Sequence, residues 1–292
     1  MTRIALVQQR AGADKRANVE RGLKALETAA ANGAEVISFP ELAFEPFYPQ
    51  RRAGRGFEQL AEPVPGPTTE TFAARAGQLG IVVVLNLFER DGERCYDTSP
   101  VIDVDGTLLG RTRMVHITDY PGFHEQDYYA PGDTGAPVYP TRFGRVGIAI
   151  CYDRHFPEYM RALALGGADL VLVPQAGTVG EWPEGLFEAE MRVAAFQNGY
   201  FVALCNRVGA DGALTFAGES FVYAPDGTVL ARALPGAEHT LLADVDLGAT
   251  GRSHARHLLF QHRRPELYAN WFGPAHGPGG RGCNLPSGQR IK

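Results

Sequence analysis

Residues 145–157 read Arg-Val-Gly-Ile-Ala-Ile-Cys-Tyr-Asp-Arg-His-Phe-Pro, and they predict a strand, a tight turn and a helix in succession. The run from Val146 to Ile150 is short, apolar and rich in β-branched residues, which predicts a buried strand. Pro157 then opens an amphipathic stretch, and proline favours the first turn of a helix. Cys151 is therefore expected at the carboxyl end of a strand, where α/β proteins bind their ligands.

Cys151 has two interpretations. Most free cysteines are small core residues. The charged continuation Asp153-Arg154-His155 instead favours a polar setting, in which the amino terminus of the following helix would stabilise a thiolate. We therefore favour a nucleophilic role for Cys151.

The composition is that of a globular, enzyme-sized protein. The chain has 292 residues, 45% of them hydrophobic, which is enough for a substantial core. Its formal net charge of −5 gives no sign of the basic surface that binds nucleic acid or an anionic membrane. The four cysteines are widely spread, and we recognise neither a signal peptide nor a membrane-spanning run. We expect a cytoplasmic protein that binds a small molecule, and neither nucleic acid nor membrane.

The beginning of the chain predicts a β-α-β unit. Strands are expected over residues 4–7 and 36–39, with a helix between them that Asp14 caps. Such a unit implies a parallel strand pair, which places Glu41 at the carboxyl end of its strand. Further along, residues 81–88 are expected to form one strand, and later hairpins indicate mixed sheets. The tail from Gly251 is expected to be extended.

Two acidic residues could serve a cysteine nucleophile, which needs a base and later an activated water. Glu41 follows a strand in hydrophobic surroundings, which should raise its pKa toward neutral and let it exchange protons. It could equally be an ordinary loop or helix-cap carboxylate. Glu125 lies in an irregular stretch, and its local sequence alone favours a solvated charge.

Histidines suggest two other kinds of site. His155 follows Cys151 closely and could form a cysteine–histidine dyad, or it could pack beneath the sheet. His254, His257 and His262 could suggest a metal, but neither cysteines nor a set of carboxylates accompanies them. We favour neither kind of site, and we expect no metal and no cofactor.

Several blocks of the sequence, in their order and spacing, resemble the carbon–nitrogen hydrolase (nitrilase) superfamily. The resemblance covers nearly the whole chain. The blocks are Phe39-Pro40-Glu41-Leu42, residues 110–117 (Gly-Arg-Thr-Arg-Met-Val-His-Ile), Pro131-Gly132-Asp133, residues 150–158 (Ile-Cys-Tyr-Asp-Arg-His-Phe-Pro-Glu), Asn206-Arg207-Val208-Gly209, Gly218-Glu219-Ser220 and residues 263–268 (Arg-Arg-Pro-Glu-Leu-Tyr).

This resemblance implies an α/β fold, namely a four-layer α-β-β-α sandwich with two mixed sheets. We assign residues 1–250 to a single carbon–nitrogen hydrolase domain. Residues 251–292 are assigned to a C-terminal extension that belongs to the same domain or to a subunit interface. The resemblance also implies a homodimer or a larger homo-oligomer, joined through helices beside the active site.

The family's reaction uses a Glu-Lys-Cys triad and a second glutamate. Carried over by resemblance, Cys151 is the nucleophile, Glu41 is the general base and Glu125 is the second glutamate. Met114 stands where the family has its lysine. Arg113 is adjacent, but on a strand its side chain should face the opposite way. Because a thioether cannot donate hydrogen bonds to an oxyanion, we expect turnover to be reduced by about 10²–10³ or to be absent.

Arg154 is the clue to the substrate. It resembles the arginine that grips the substrate carboxylate in the branch acting on N-carbamoyl amino acids, and a guanidinium binds a carboxylate in a bidentate fork. The alternative is a structural ion pair with Asp153 or Glu158. The resemblance therefore implies hydrolysis of an N-carbamoyl-β-alanine-like acid to the amino acid, ammonia and carbon dioxide. The alternatives are an N-carbamoylputrescine amidohydrolase, an ω-amidase, or a non-catalytic ligand-binding relative.

Overall fold

The computed structural model describes residues 1–272, in which two β-sheets are flanked by helices. The strands, in chain order, are β1 (Thr2–Gln8), β2 (Val36–Ser38), β3 (Val82–Val84), β4 (Leu87–Asp91), β5 (Arg94–Ile102), β6 (Leu108–Arg113), β7 (Asp119–Tyr120), β8 (Phe123–His124), β9 (Val138–Thr141), β10 (Gly144–Ile148), β11 (Leu170–Gln175), β12 (Phe201–Asn206), β13 (Val208–Asp211), β14 (Leu214–Ala217), β15 (Phe221–Tyr223), β16 (Val229–Arg232) and β17 (His239–Val245). The α-helices are α1 (Lys15–Ala31), α2 (Pro67–Leu79), α3 (Pro157–Leu165), α4 (Leu186–Asn198) and α5 (Pro265–Phe272).

Both large sheets mix parallel and antiparallel strands. The first has the order β17-β1-β2-β3-β5-β4, with β6 also paired to β5. The second has the order β16-β15-β12-β11-β10-β9. The β1–β2 pair is parallel, and α1 crosses between its strands with the Asp14 side chain accepting a hydrogen bond from the Ala17 amide, as expected. The prediction of mixed sheets is confirmed.

The alternation of side chains along the strands produces four layers. Ile4 and Leu6 of β1 belong to an apolar cluster that also contains Ile148 of β10, so the two sheets pack face to face. The intervening Ala5 and Val7 point to the other side of the sheet and join a second cluster. That cluster includes Leu26 of α1 and Phe72 of α2, and a third contains Val171 and Val173 of β11 with Leu163 of α3 and Met191 of α4. The predicted α-β-β-α sandwich is confirmed.

The strand predicted over residues 81–88 is present, but its ladder is interrupted. β3 and β4 pair with β5 in one register, with Val84 opposite Val101 and Leu87 opposite Thr98, and only residues 85–86 between them lie outside the two strands. Asn86 lies in this break and is fully buried. Its side-chain carbonyl accepts a hydrogen bond from the Leu42 amide at 2.7 Å, and its amide donates to Asp97 and Ser99. Leu85, in the same interruption, donates to the Pro100 carbonyl at 3.3 Å, but proline has no N–H to donate in return, so the ladder is broken here.

The tail is also different from the expectation. Residues 247–272 contain a 3₁₀ turn (Leu247–Arg252), a π-helical turn (Ala255–Leu259) and α5, so the extended tail predicted from Gly251 is wrong for this part. Phe260 packs against the cluster beneath α3 and α4, which anchors the segment. The remainder of the predicted extension, with Cys283 and Lys292, lies outside the described residues. Among residues 1–272 no helix combines the length and the apolar character needed to cross a membrane.

Candidate active site

Cys151 begins a 3₁₀ turn that separates β10 from α3. Its φ angle is 39°, a left-handed backbone conformation that few non-glycine residues adopt and that often accompanies functional sites. The side chain is 7% exposed and belongs to the cluster between the two sheets. The turn therefore presents the thiol at the carboxyl end of the sheet, as the sequence predicts, although a 3₁₀ turn intervenes before the helix.

Glu41 lies on the turn after β2 and is held there by a buried arginine. The Arg207 guanidinium, 2% exposed, donates hydrogen bonds to the backbone carbonyls of Glu41, Leu42 and Glu45, and to the Asp211 carboxylate. Sequence reasoning missed this role, although Arg207 belongs to one of the blocks that carry the resemblance. Because Arg207 bonds main-chain oxygens, it fixes the backbone from which the Glu41 side chain projects.

The Glu41 carboxyl group is fully buried. Neither of its oxygens has a hydrogen-bond partner of ordinary geometry among residues 1–272, although Cys151 and Asp97 lie near enough to affect its titration. Burial first, and then the charge of Glu125, raises the pKa of Glu41 to about 8. The prediction that hydrophobic surroundings raise the pKa of Glu41 toward neutral is confirmed.

Glu125 is fully buried too, in contrast to the solvated charge that its local sequence favours. It begins a short 3₁₀ turn, and its Oε2 accepts a hydrogen bond from the Thr118 amide at 3.5 Å. Burial and the neighbouring Asp97 raise the pKa of Glu125 well above its usual value. Glu41 and Glu125 thus come from distant parts of the chain and both lie within electrostatic reach of the Cys151 thiol.

Asp97 completes a group of buried acids, and sequence reasoning missed it. It lies inside β5, is fully buried, and accepts a hydrogen bond from the Asn86 amide at 2.5 Å. Burial and the neighbouring Glu41 raise the pKa of Asp97 well above its usual value. Asp97 is followed in β5 by two further polar residues, Thr98 and Ser99, so no local signal distinguishes it.

The Cys151 thiol is held in its neutral form. Burial, followed by the charges of Glu41 and Glu125, raises the pKa of Cys151 well above its usual value, and Arg154 lowers it by less. The expectation of a stabilised thiolate is therefore wrong, because desolvation and two nearby carboxylates favour the neutral thiol. Such a thiol needs a base to remove its proton, and Glu41 with its raised pKa is suited to do so.

Met114 contacts Asp97 through the main chain, and hydrogen bonds fix its backbone on both sides. Its amide donates to the Asp97 carbonyl at 2.9 Å, and its own carbonyl accepts from the Gly132 amide at 2.8 Å. A side chain at Gly132 would collide with the Arg113 carbonyl oxygen, so this close approach requires glycine. The Met114 side chain is 1% exposed and shares its apolar cluster with Cys151. The position that resembles the family's lysine position is thus occupied by a thioether.

The neighbouring Arg113 faces away from the thiol, as expected for adjacent residues on a strand. Its guanidinium binds Glu89, Asp91 and Asp133, the closest at 2.6 Å. Because all these partners are carboxylates outside the candidate site, Arg113 does not replace the missing lysine.

Arg154 and His155 bond to each other and not to the cysteine. The Arg154 guanidinium donates from Nη1 to His155 Nε2 at 2.6 Å, and His155 Nδ1 bonds to Glu190 of α4 at 2.7 Å. The cysteine–histidine dyad is therefore not formed here. Asp153, considered as a partner of Arg154, instead accepts hydrogen bonds from the Val115 and His116 amides. Among residues 1–272, no group of three or more His, Cys, Asp or Glu side chains could hold a metal ion.

The titration of Glu41 leads to a prediction about stability. Below pH about 4.5 the carboxyl is protonated in both the folded and the unfolded chain. Between about 4.5 and about 8 the unfolded chain loses this proton while the folded chain keeps it, so the free energy of unfolding falls as pH rises. Glutamine cannot ionise. We expect Glu41→Gln to melt at a higher temperature than the parent near pH 8, with the difference vanishing toward pH 4.5. A difference that is constant across this range in calorimetry would contradict the assignment.

Comparisons with known proteins bear on the activity of this site. Residues 3–255 match the family model described as carbon-nitrogen hydrolase. The chain is 34% identical over 267 residues to an N-carbamoylputrescine amidase of Arabidopsis thaliana, covering 86% of this chain and 88% of that protein. It is 38% identical over 189 residues to a beta-ureidopropionase of the same plant, covering 64% and 46%. A solved mutant of the amidase from Nesterenkonia sp. AN1, with acrylamide added at its active-site cysteine, superposes with a TM-score of 0.78 at 29% identity, covering 93% of this chain and 100% of that one.

Proposed function

Because the chain belongs to the carbon–nitrogen hydrolase family, and is thus a hydrolase of carbon–nitrogen bonds other than peptide bonds, we propose that its substrate is an N-carbamoyl amino acid similar to N-carbamoyl-β-alanine. Cys151 acts as the nucleophile, Glu41 as the general base, and Glu125 supports their polar network. Arg154 binds the substrate carboxylate. Met114 leaves the reaction slow.

One observation carries the substrate assignment. The Arg154 side chain is 1% exposed, and its Nε and Nη2 atoms have no hydrogen-bond partner among residues 1–272. These two atoms form one edge of the guanidinium, which matches a carboxylate in a bidentate fork. Unpaired buried donors are costly, and an anionic ligand would satisfy both at once. Arg154 also lowers the pKa of Cys151 by its charge, which indicates that it lies near the thiol.

The reaction follows from the protonation states of the site. Ionised Glu41 takes the proton of the Cys151 thiol as the sulfur attacks the ureido carbonyl carbon. The tetrahedral intermediate collapses by breaking the bond to the amino acid nitrogen, which takes the proton from Glu41 and leaves as the free amine. The carbamoyl thioester remains on Cys151. A water activated by Glu41 then releases carbamic acid, which decomposes to ammonia and carbon dioxide.

A cation-tailed or neutral amide substrate is the second candidate, and Glu181 is the observation in its favour. Its charge acts on Glu125 and on Tyr120, which in turn lies near Cys151. However, Glu181 already accepts hydrogen bonds from the Tyr120 hydroxyl at 2.6 Å and from the Trp182 indole, and its other oxygen bonds the Thr178 amide. A carboxylate that is occupied in this way is a poorer ligand site than the two free donors of Arg154.

The preference is tested by ammonia release from three ureas with tails of different charge, the first two of which have three-carbon tails and the third a longer one. These are N-carbamoyl-β-alanine, n-propylurea and N-carbamoylputrescine. We expect kcat/KM to be highest for the acid, and Arg154→Lys, which keeps the charge but loses the fork, to lower it for the acid by about tenfold or more. The neutral urea should be much less affected. A preference for N-carbamoylputrescine would contradict the role of Arg154.

A non-catalytic ligand-binding protein is the alternative from another class, and Met114 is what favours it. In that case the acid would bind, and calorimetry would detect it, but neither the parent nor Met114→Lys would release ammonia. Turnover by the lysine variant would exclude this alternative.

A further inference from the structure

We propose that His155 and Glu190 act as positioning residues that hold the Arg154 guanidinium ready for the substrate carboxylate. This inference rests on the proposed function and extends it to residues that contact neither the thiol nor, in the proposal, the substrate. It makes the affinity for acid-tailed ureas depend on the hydrogen-bond acceptor that one imidazole presents to Arg154.

The direction of each hydrogen bond follows from chemistry. A guanidinium remains protonated in proteins and can only donate, so Nε2 of His155 accepts the bond from Arg154 Nη1 at 2.6 Å. The proton of the neutral imidazole must then be on Nδ1, which donates it to Glu190 Oε1 at 2.7 Å. Glu190 on α4 therefore selects the tautomer that can hold Arg154 on the turn after β10.

Other contacts keep the guanidinium in this place without using its remaining donors. The Arg154 guanidinium carbon lies 4.6 Å from the centre of the Phe187 ring, also on α4. Glu190 Oε2 is 3.8 Å from Arg154 Nη1, which adds charge attraction but not a second short hydrogen bond. Nη1 is thus hydrogen-bonded within the protein, whereas the edge formed by Nε and Nη2 can still donate to a ligand.

The surroundings of His155 define what can act on its charge. The charged groups in contact with it are Glu190 of α4 and Arg154 of its own turn. The rings of Tyr152 and Trp182 enclose it, each with its centroid 5.2 Å away. A cavity of about 210 Å³ between α3 and α4, lined by His155 and also by Arg161, gives access to this group.

Protonation of His155 would put an N–H where the lone pair of Nε2 now accepts. Two donors would then face each other, both on positive groups, and the guanidinium would lose its fixed orientation. Loss of the His155 acceptor by mutation should have the same effect. In either case the acid-tailed ligand should be affected and a neutral urea should not, because only the former uses Arg154.

The test measures equilibrium binding by calorimetry in a Cys151→Ala chain, so that turnover plays no part. We expect His155→Leu to weaken binding of N-carbamoyl-β-alanine by roughly tenfold, and to leave n-propylurea within about twofold. His155→Gln, whose side-chain carbonyl can still accept from Arg154, should recover part of the affinity. His239→Leu, at an exposed position on β17, is the control for a general effect of replacing histidine.

Recovery by glutamine is a readout that a merely structural role would not give, because it depends on a side-chain acceptor facing Arg154. Equal weakening for both ureas, or no recovery of affinity in His155→Gln relative to His155→Leu, would overturn the proposal. If the Cys151→Ala chain itself does not prefer the acid, the proposed function is wrong, and the positioning role of His155 and Glu190 is wrong with it. If this chain prefers the acid and His155→Leu changes nothing, only the positioning role is wrong.

Discussion

Replacement of Met114 by lysine is expected to raise kcat for the hydrolysis of N-carbamoyl-β-alanine by about 10²–10³. The tetrahedral intermediate carries an oxyanion, and an ammonium at this position would donate to it, which a thioether cannot do. Lysine is unbranched like methionine, so it can follow the same path through the core. The Asp97 carbonyl accepts from the Met114 amide, and Asp97 is electrostatically linked to Glu41 and Glu125, so a cation at this position would be stabilised by their charge.

Two controls separate the charge from the change in shape. Met114→Leu alters the packing but supplies no donor, so it should not increase the rate. Cys151→Ala combined with Met114→Lys should remove all turnover, which shows that the gain passes through the thiol. The interpretation would be contradicted if the lysine variant folded with an unchanged melting temperature, bound the substrate and still showed no increase in ammonia release.

The fold was predictable from the sequence because its signals are local. The apolar run before Cys151 and the β-α-β pattern before Glu41 depend only on residue type and spacing. Both residues follow strands, and the ends of strands gather at one edge of a sheet. Their meeting in the structure was therefore expected, even though the resemblance was needed to add Glu125.

The surroundings that determine the chemistry were not predictable in the same way. Arg207 donates hydrogen bonds to carbonyls within residues 41–45, more than 160 positions earlier in the chain. A local sequence pattern cannot predict such a distant contact. The ladder of the strand predicted over residues 81–88 is interrupted at residues 85–86, because the partner strand β5 supplies Pro100 there, which has no N–H to donate. The pKa of Cys151 was misjudged for the same reason, since desolvation depends on what packs around the turn.

These contacts bring three carboxyl groups together in the site. Glu41, Asp97 and Glu125 are buried together, and the charge of each raises the pKa of at least one of the others. With its pKa at about 8, Glu41 keeps its proton in most molecules at neutral pH, so in the proposed mechanism the base that activates the thiol is present in only a minority of them. A cation at position 114 would therefore act both on the oxyanion and on the supply of ionised Glu41.

Glu41→Gln is expected to lower kcat by about 10²–10⁴ when it is introduced into the Met114→Lys chain, because glutamine cannot accept the thiol proton or activate water. Glu45→Gln is the matched control. Glu45 is another fully buried glutamate of the same segment with a raised pKa, but it binds the Phe88 amide and Lys15. A comparable loss from Glu45→Gln would indicate damage to the segment and not loss of the base.

The pH dependence of thiol reactivity tests the same role in the chain with Met114. Alkylation of Cys151 by iodoacetamide, followed on its own peptide because Cys95 and Cys205 are also free thiols, should accelerate through pH about 8 as Glu41 ionises. This inflection should be absent in Glu41→Gln. It should move to lower pH in Met114→Lys, since a nearby cation favours the ionised carboxylate. An inflection that stays in place after both substitutions would show that another group removes the proton, and the assignment of Glu41 as the base would then be wrong.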